Sequence, residues 1–150
     1  MPAARAWAVT GYTVVASRFS SVEAVESDWW DFILSVGGIF VAVYQVNHGP
    51  LSGDLKQAAR DAVTEIAVQW HPKAVDAVAD CTQFVGRTYA GLQALPEYST
   101  HPEFSFSDSL GSWLVWNLFG HAPESDQQRK LVRVLGGMLT QAFMSWWDDV

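Results

Sequence analysis

Cysteine is almost absent from this chain. Cys81 is the only one in 150 residues. No intramolecular disulfide can form, and a reducing, cytoplasmic setting is the expectation. Positive charge is also scarce. Nine Lys and Arg against sixteen Asp and Glu give a net charge of −7. That balance disfavours nucleic acid and anionic membrane surfaces as partners, because both require a basic footprint. Charge of either sign totals 17%, below the roughly one quarter usual in soluble domains. The N-terminus, with one Arg and no sustained apolar segment, does not read as a signal peptide.

Catalytic motifs are missing as well. There is no Gly-x-Ser-x-Gly elbow, phosphate loop or dinucleotide fingerprint. The four histidines, His48, His71, His101 and His121, fall at predicted element ends. None forms a His-x-x-x-His or Glu-x-x-His pair, the spacing that aims two ligands at one ion from a helix. No metal or cofactor is expected. Asp76 and Asp80 share a helix face one turn apart, as a cation or acid–base pair requires. They have no third acidic residue in register, and Lys73 and Arg87 lie nearby, so a solvated face is the simpler reading. Cys81 falls on an apolar stripe and reads as a small core residue. Nothing local supplies the His or helix N-terminus that would activate its thiol. No enzyme activity is indicated.

What the chain has in quantity is aromatic and aliphatic surface. Hydrophobic residues make up 49%, with eight Trp and eight Phe. Rings either fill a core or anchor an interface, and in a chain of this length they cannot all be exposed. The length suits a single domain spanning 1–150. The longest apolar stretch has no charged residue between Asp31 and Asp54. Its Phe32–Val46 portion is 15 residues, short of the roughly 18 to 20 that span a bilayer, so a buried core helix and no membrane crossing are expected.

Periodicity predicts about five helices. Ser20 and Glu23 form a capping-box pattern. Behind them Val22, Val25, Trp29, Phe32, Val36, Phe40 and Val43 recur at three and four, which predicts one helix over about 21–47. The competing reading breaks at Gly37–Gly38 and makes 39–46 a strand, since that segment is rich in strand formers. Residues 1–19 mix strand formers with Gly11 and read as a short helix or an ordered arm. Ser52 caps a second helix whose inward stripe is Leu55, Ala59, Ala62, Ile66 and Trp70, with Lys56, Arg60, Asp61 and Glu65 outward. Pro72 opens a third, with Val75, Val78, Cys81, Val85, Tyr89 and Leu92 inward and Asp76, Asp80 and Arg87 outward. Residues 94–107 read as a loop, after which Ser107 or Asp108 caps a fourth helix ending at Gly120. Ser125 and Gln128 form a second capping box that opens the last helix. The fold class is all-α: a single-domain, irregular helical bundle around a long central buried helix. Trp29–Trp30 and Gly37–Gly38 in the first helix are echoed as Gly136–Gly137 and Trp146–Trp147 in the last. Adjacent parallel helices would set each small pair against a large one.

Charge placement points to function. No Lys or Arg lies between Arg87 and Arg129, whereas Glu97, Glu103, Asp108, Glu124 and Asp126 do, interleaved with Tyr98, Phe104 and Phe106. Such a segment suits contact with a basic protein surface, unless the two phenylalanines turn inward and pin it. In the last helix Arg129, Lys130 and Arg133 sit at the positive end of the dipole and Asp148 and Asp149 at the negative end, each costing a few tenths to about 1 kcal/mol. Local ion pairs explain this, or an anion site at the helix start. The leading expectation is a small acidic cytoplasmic protein that binds another protein: an inhibitor, an immunity or antitoxin-type protein, or an assembly subunit. The alternative is a helical-bundle small-molecule binder, or an enzyme, with an aromatic-lined pocket. A homodimer through an apolar helix face is compatible with either.

Overall fold

A computed structural model describes residues 11–148, with side chains from 11 to 142. Residues 1–10 and the side chains of Trp146, Trp147, Asp148 and Asp149, on which part of the sequence reading fell, lie outside the described residues. The fold is an all-α bundle with no strand among the described residues. A helical segment at 11–16 and a 3-10 turn at Ser20–Ala24 lead into α1 (Ser27–His48). Then follow α2 (Gly53–Trp70), α3 (Ala74–Gln93), α4 (Glu103–Phe119) and α5 (Asp126–Asp148).

The helix α1 touches all four others. It runs unbroken through Gly37 and Gly38, both buried, so 39–46 is helix and not strand. At 22 residues α1 is long and apolar enough to cross a membrane, so length does not separate it from a spanning helix. Its surroundings are those of a core helix, with 67% of its apolar window buried inside the protein. Gly37 shows why small residues sit there. A Cβ at that position would come within 2.8 Å of Leu139 Cδ2 and 3.0 Å of Leu114 Cδ2, so α4 and α5 push leucines into the space it leaves.

The start of α1 differs from the expectation. Ser20 and Glu23 belong to the 3-10 turn and no side chain caps it. Val25 and Glu26 are extended, and α1 begins only at Ser27. The apolar spacing continues across this break because Val22 and Val25 are buried by a different local geometry. The Tyr12 hydroxyl donates to the Val25 carbonyl at 3.4 Å, outside any helical ladder.

The second helix is rotated relative to its predicted stripe. Leu55 and Ile66 face solvent, and Ala67 is the buried residue of α2. Lys56 and Arg60, expected outside, turn toward Asn47 near the end of α1. Lys56 Nζ donates to its carbonyl at 2.9 Å and Arg60 to its side-chain oxygen at 2.7 Å. Two cations at a helix C-terminus complement its dipole. Their aliphatic stems can cover apolar surface while the heads stay polar. Stacking of Trp70 on Phe32, centroids 5.7 Å apart, fixes the other end. Ser52 caps α2 as expected, accepting from the Leu55 amide. Pro72 lies in the turn before α3 rather than opening it. Val75 is partly exposed, while Ala74, Cys81 and Val85 are buried. Asp80 is not idle on the outer face, since it accepts from the Trp113 indole at 2.9 Å.

The pair α4 and α5 makes the most extensive contact in the bundle. A Cβ at Gly111 would collide with the Val132 carbonyl, and one at Gly136 with the Ser107 carbonyl. The backbones therefore touch there, and Gly136 faces α4 rather than a tryptophan pair on α1. Gly120, at φ 80°, closes α4 by donating to the Trp116 carbonyl, as a left-handed glycine cap does. The capping box at α5 forms partly as expected. Ser125 Oγ accepts from the Gln128 amide at 3.1 Å, and Gln128 reaches back to the Glu124 amide at 2.9 Å.

Candidate functional site

Three helices leave an aromatic-walled cleft of about 360 Å³ between them. From α1 come Phe40, Val43, Tyr44, Asn47 and His48, spaced at three and four so that they share one face. From α3 come Thr82, Val85, Gly86 and Tyr89 at the same spacing, and Phe106 of α4 completes the wall. Phe106 is the hub. Its ring centroid lies 4.6 Å from Tyr44, 6.0 Å from Phe40 and 6.4 Å from Tyr89. His48 stacks on Tyr44 at 4.0 Å and 22°. Nothing lies within 4 Å of where a Cβ on Gly86 would stand, so the α3 side of the cleft is open to the backbone.

Polar groups at the rim are few and defined. His48 Nδ1 lies 2.9 Å from the Tyr44 carbonyl. A carbonyl can only accept, so in the neutral ring Nδ1 carries the proton and Nε2 is left as an acceptor. Asn47 spends its side-chain oxygen on Arg60, which leaves its amide NH₂ to donate. The Tyr89 hydroxyl accepts from Gln93 at 2.9 Å and keeps its proton. The Tyr44 hydroxyl has no hydrogen-bond partner among the described residues. Burial, and then the neighbouring Tyr89 phenol, raises the Tyr44 pKa, so this group stays a neutral donor. On the other side of Val43 a smaller apolar cleft of about 150 Å³ opens between α1, α2 and α3.

Of the residues singled out from sequence, Phe106 lies in this cleft and the others fall elsewhere. Residues 103–107 are the first turns of α4, not a loop, and the residue preceding the helix is Pro102 rather than Ser107 or Asp108. Serines mislead here. Ser105, Ser109 and Ser112 return their hydroxyls to the carbonyls of Pro102, Ser105 and Asp108, a back-bonding that lets loop-like residues sit inside a helix. Asp108 is buried and accepts both prongs of the Arg133 guanidinium at 2.8 Å, together with the Tyr98 hydroxyl at 2.9 Å. It is engaged inside the protein rather than offered to a partner. Arg133 also lies over the Phe104 ring, 4.2 Å from its centroid. Burial, and then the Asp108 carboxylate, pushes Tyr98 up to about 12.

Arg129 pairs with Asp126 at 2.6 Å and donates to the Glu124 carbonyl. That guanidinium holds the exposed Asp126 below the usual carboxylate range. Tyr98, Asp108, Asp126, Arg129, Lys130 and Arg133 thus line one wide groove beside α4 and α5. Two of its three cations are bonded to its acids. Glu97, Glu103 and Glu124 are exposed near it, whereas Phe106 faces the aromatic cleft on another side. Cys81 is fully buried, and burial, reinforced by Asp80, raises its thiol well above the ordinary value. Among the described residues no group of three or more His, Cys, Asp or Glu could hold a metal ion.

Sequence reasoning offered an aromatic-lined pocket as its alternative but did not name the residues of α1 and α3 that line this cleft. The signal was present in Phe40, Tyr44 and His48, three rings at i, i+4 and i+8, but a stripe of that kind is ordinarily core. No protein-family model, curated protein or solved structure matches this chain.

Proposed function

We propose that the protein is a binding protein that holds a small, flat and largely apolar molecule in the cleft between α1, α3 and α4. The observation that carries this reading is the convergence of five rings, Phe40, Tyr44, His48, Tyr89 and Phe106, around about 360 Å³ of open space. That volume sits at the small end of ligand sites, which are mostly apolar with a few placed polar groups. The ligand would carry an acceptor for the Tyr44 and Tyr89 phenols. A donor on it would suit His48 Nε2. The bond from His48 Nδ1 to the Tyr44 carbonyl fixes the ring so that Nε2 faces a ligand as an acceptor. A net charge of −7 supports, in addition, a protein partner with a basic surface. The single buried thiol suits a reducing, cytoplasmic compartment.

The test fills the cleft from its open side. Gly86 lines the cleft and a Cβ there meets nothing within 4 Å, so Gly86→Phe places a ring at the cleft wall, within a helix that tolerates Phe better than Gly. 2-Naphthol, a flat probe with one hydroxyl, should raise the melting temperature of the wild type by several degrees when near saturation. It should leave Gly86→Phe unmoved. No shift with 2-naphthol or a panel of comparable planar molecules, or an equal shift in the filled variant, would reject the cleft as a binding site.

A further inference from the structure

We propose that the outward face of α2 is a docking surface for a basic amphipathic helix of a partner protein. The helix is thinly attached. Among the described elements it contacts only α1 and α3, and Ala67 is its buried residue. Leu55, Ile66 and Val68 stand 57%, 44% and 59% exposed, and Ala62 is exposed with them. At about 100° per residue, Leu55, Ala62 and Ile66 fall within about 40° of one another on the helix wheel. At i, i+7 and i+11 they form an apolar stripe on one helix face, of the sort that packs against another helix.

Charge decides what would cover it. Asp54, Asp61 and Glu65 are exposed and form a parallel row, about 100° around the helix from the stripe. Val68 lies beyond them. The cations of α2, Lys56 and Arg60, are both turned away to Asn47, and Arg60 also reaches back only to Gln57. The face therefore presents aliphatic side chains beside carboxylates that pair with no cation among the described residues, Asp61 accepting only from the neutral Gln57 amide at 2.8 Å. A second copy docking through it would set carboxylate rows against each other, and like charges at an interface are costly. An anionic membrane is disfavoured for the same reason. A helix with leucine-type anchors flanked by Lys or Arg meets both requirements. The partner expected from composition thus fits α2 better than the 97–126 segment, where Asp108 and Asp126 are already paired.

A synthetic leucine–lysine amphipathic helical peptide, fluorescently labelled, is the probe, with a leucine–glutamate peptide as its counterpart. Binding is read by anisotropy. The lysine peptide should bind the wild type, and Leu55→Ser with Ile66→Ser should weaken it by tenfold or more. Asp61→Lys with Glu65→Lys should move the preference to the glutamate peptide. Glu97→Lys with Glu124→Lys should change the affinity less than twofold. All of these positions are exposed, and circular dichroism confirms that each variant is folded. The proposal fails if the serine pair binds as the wild type does, or if the Glu97 and Glu124 reversal weakens binding as much as the α2 reversal. It also fails if sedimentation shows a concentration-dependent dimer abolished by Ile66→Ser, which would assign the face to a second copy. The outcome is independent of the aromatic cleft, which none of these substitutions lines.

Discussion

Asp108 carries more of the local structure than any other charged residue described. One buried carboxylate gathers Arg133 from α5 and Tyr98 from the preceding turn, and so ties three segments together. Tyr98 reports on this arrangement through pH. Its folded pKa of about 12 lies above the ordinary 10.0. The stabilisation is therefore fully present below about pH 10 and is lost as the pH climbs through about 12. Denaturant titrations between those values should show the wild type losing more stability than Tyr98→Phe, and parallel slopes would contradict the assignment. A second residue-scale prediction concerns glycine. Gly136→Ala would drive a methyl group into the Ser107 carbonyl and should cost about 2 kcal/mol or more, because backbone contacting backbone cannot yield as a flexible side chain does. Gly91→Ala, with nothing within 4 Å, should instead stabilise by about 0.5 to 1 kcal/mol. Urea melts of the pair separate packing from intrinsic helix preference.

Helices were legible where one face is apolar and the other is not. The helix α1 continued through Gly37–Gly38 because Trp30, Ile33, Leu34, Val36 and Val41 are buried on several sides, which outweighs two weak helix formers, whereas Trp29 of the predicted stripe is 42% exposed. The α2 phase failed for the opposite reason. Its composition offers two plausible faces, and the choice was made by hydrogen bonds to Asn47 that no periodicity reveals. The start of α4 was hidden by serines whose hydroxyls bond within the helix. At this scale α2 should be the most readily opened helix, since it buries little apolar surface. In native-state hydrogen exchange its amides should exchange faster than those of α1 and α4, whose centres are buried. Equal protection across the three would show that α2 is held by more than the contacts described.

Across the whole molecule, the apolar content divides into a core and two unfilled features. The core forms where α1, α4 and α5 meet, with Gly37, Gly111 and Gly136 allowing close approach. The rings of Phe40, Tyr44, Tyr89 and Phe106 gather around space instead of filling it, and α2 turns aliphatic side chains to solvent. The aromatic load read from composition is thus distributed unevenly. Trp30 and Trp113 are buried, whereas Trp29 and Trp116 are 42% and 46% exposed. Each still has a specific contact, Trp29 with the Asn117 carbonyl and Trp116 with the Phe84 ring.

The amino-acid order by itself determined the helical class, the central helix, the caps at Ser52, Ser125 and Gly120, and the acidic balance. These depend on local spacing and on backbone groups near in sequence. Only the tertiary structure decided which faces turn inward on α2 and whether Asp108 is presented or spent. It also decided that Tyr44, Tyr89 and Phe106 surround a cleft. Each of those outcomes depends on partners far along the chain, such as Asn47 for Arg60 and Arg133 for Asp108. The energy that selects among near-equivalent faces arises only when those partners meet.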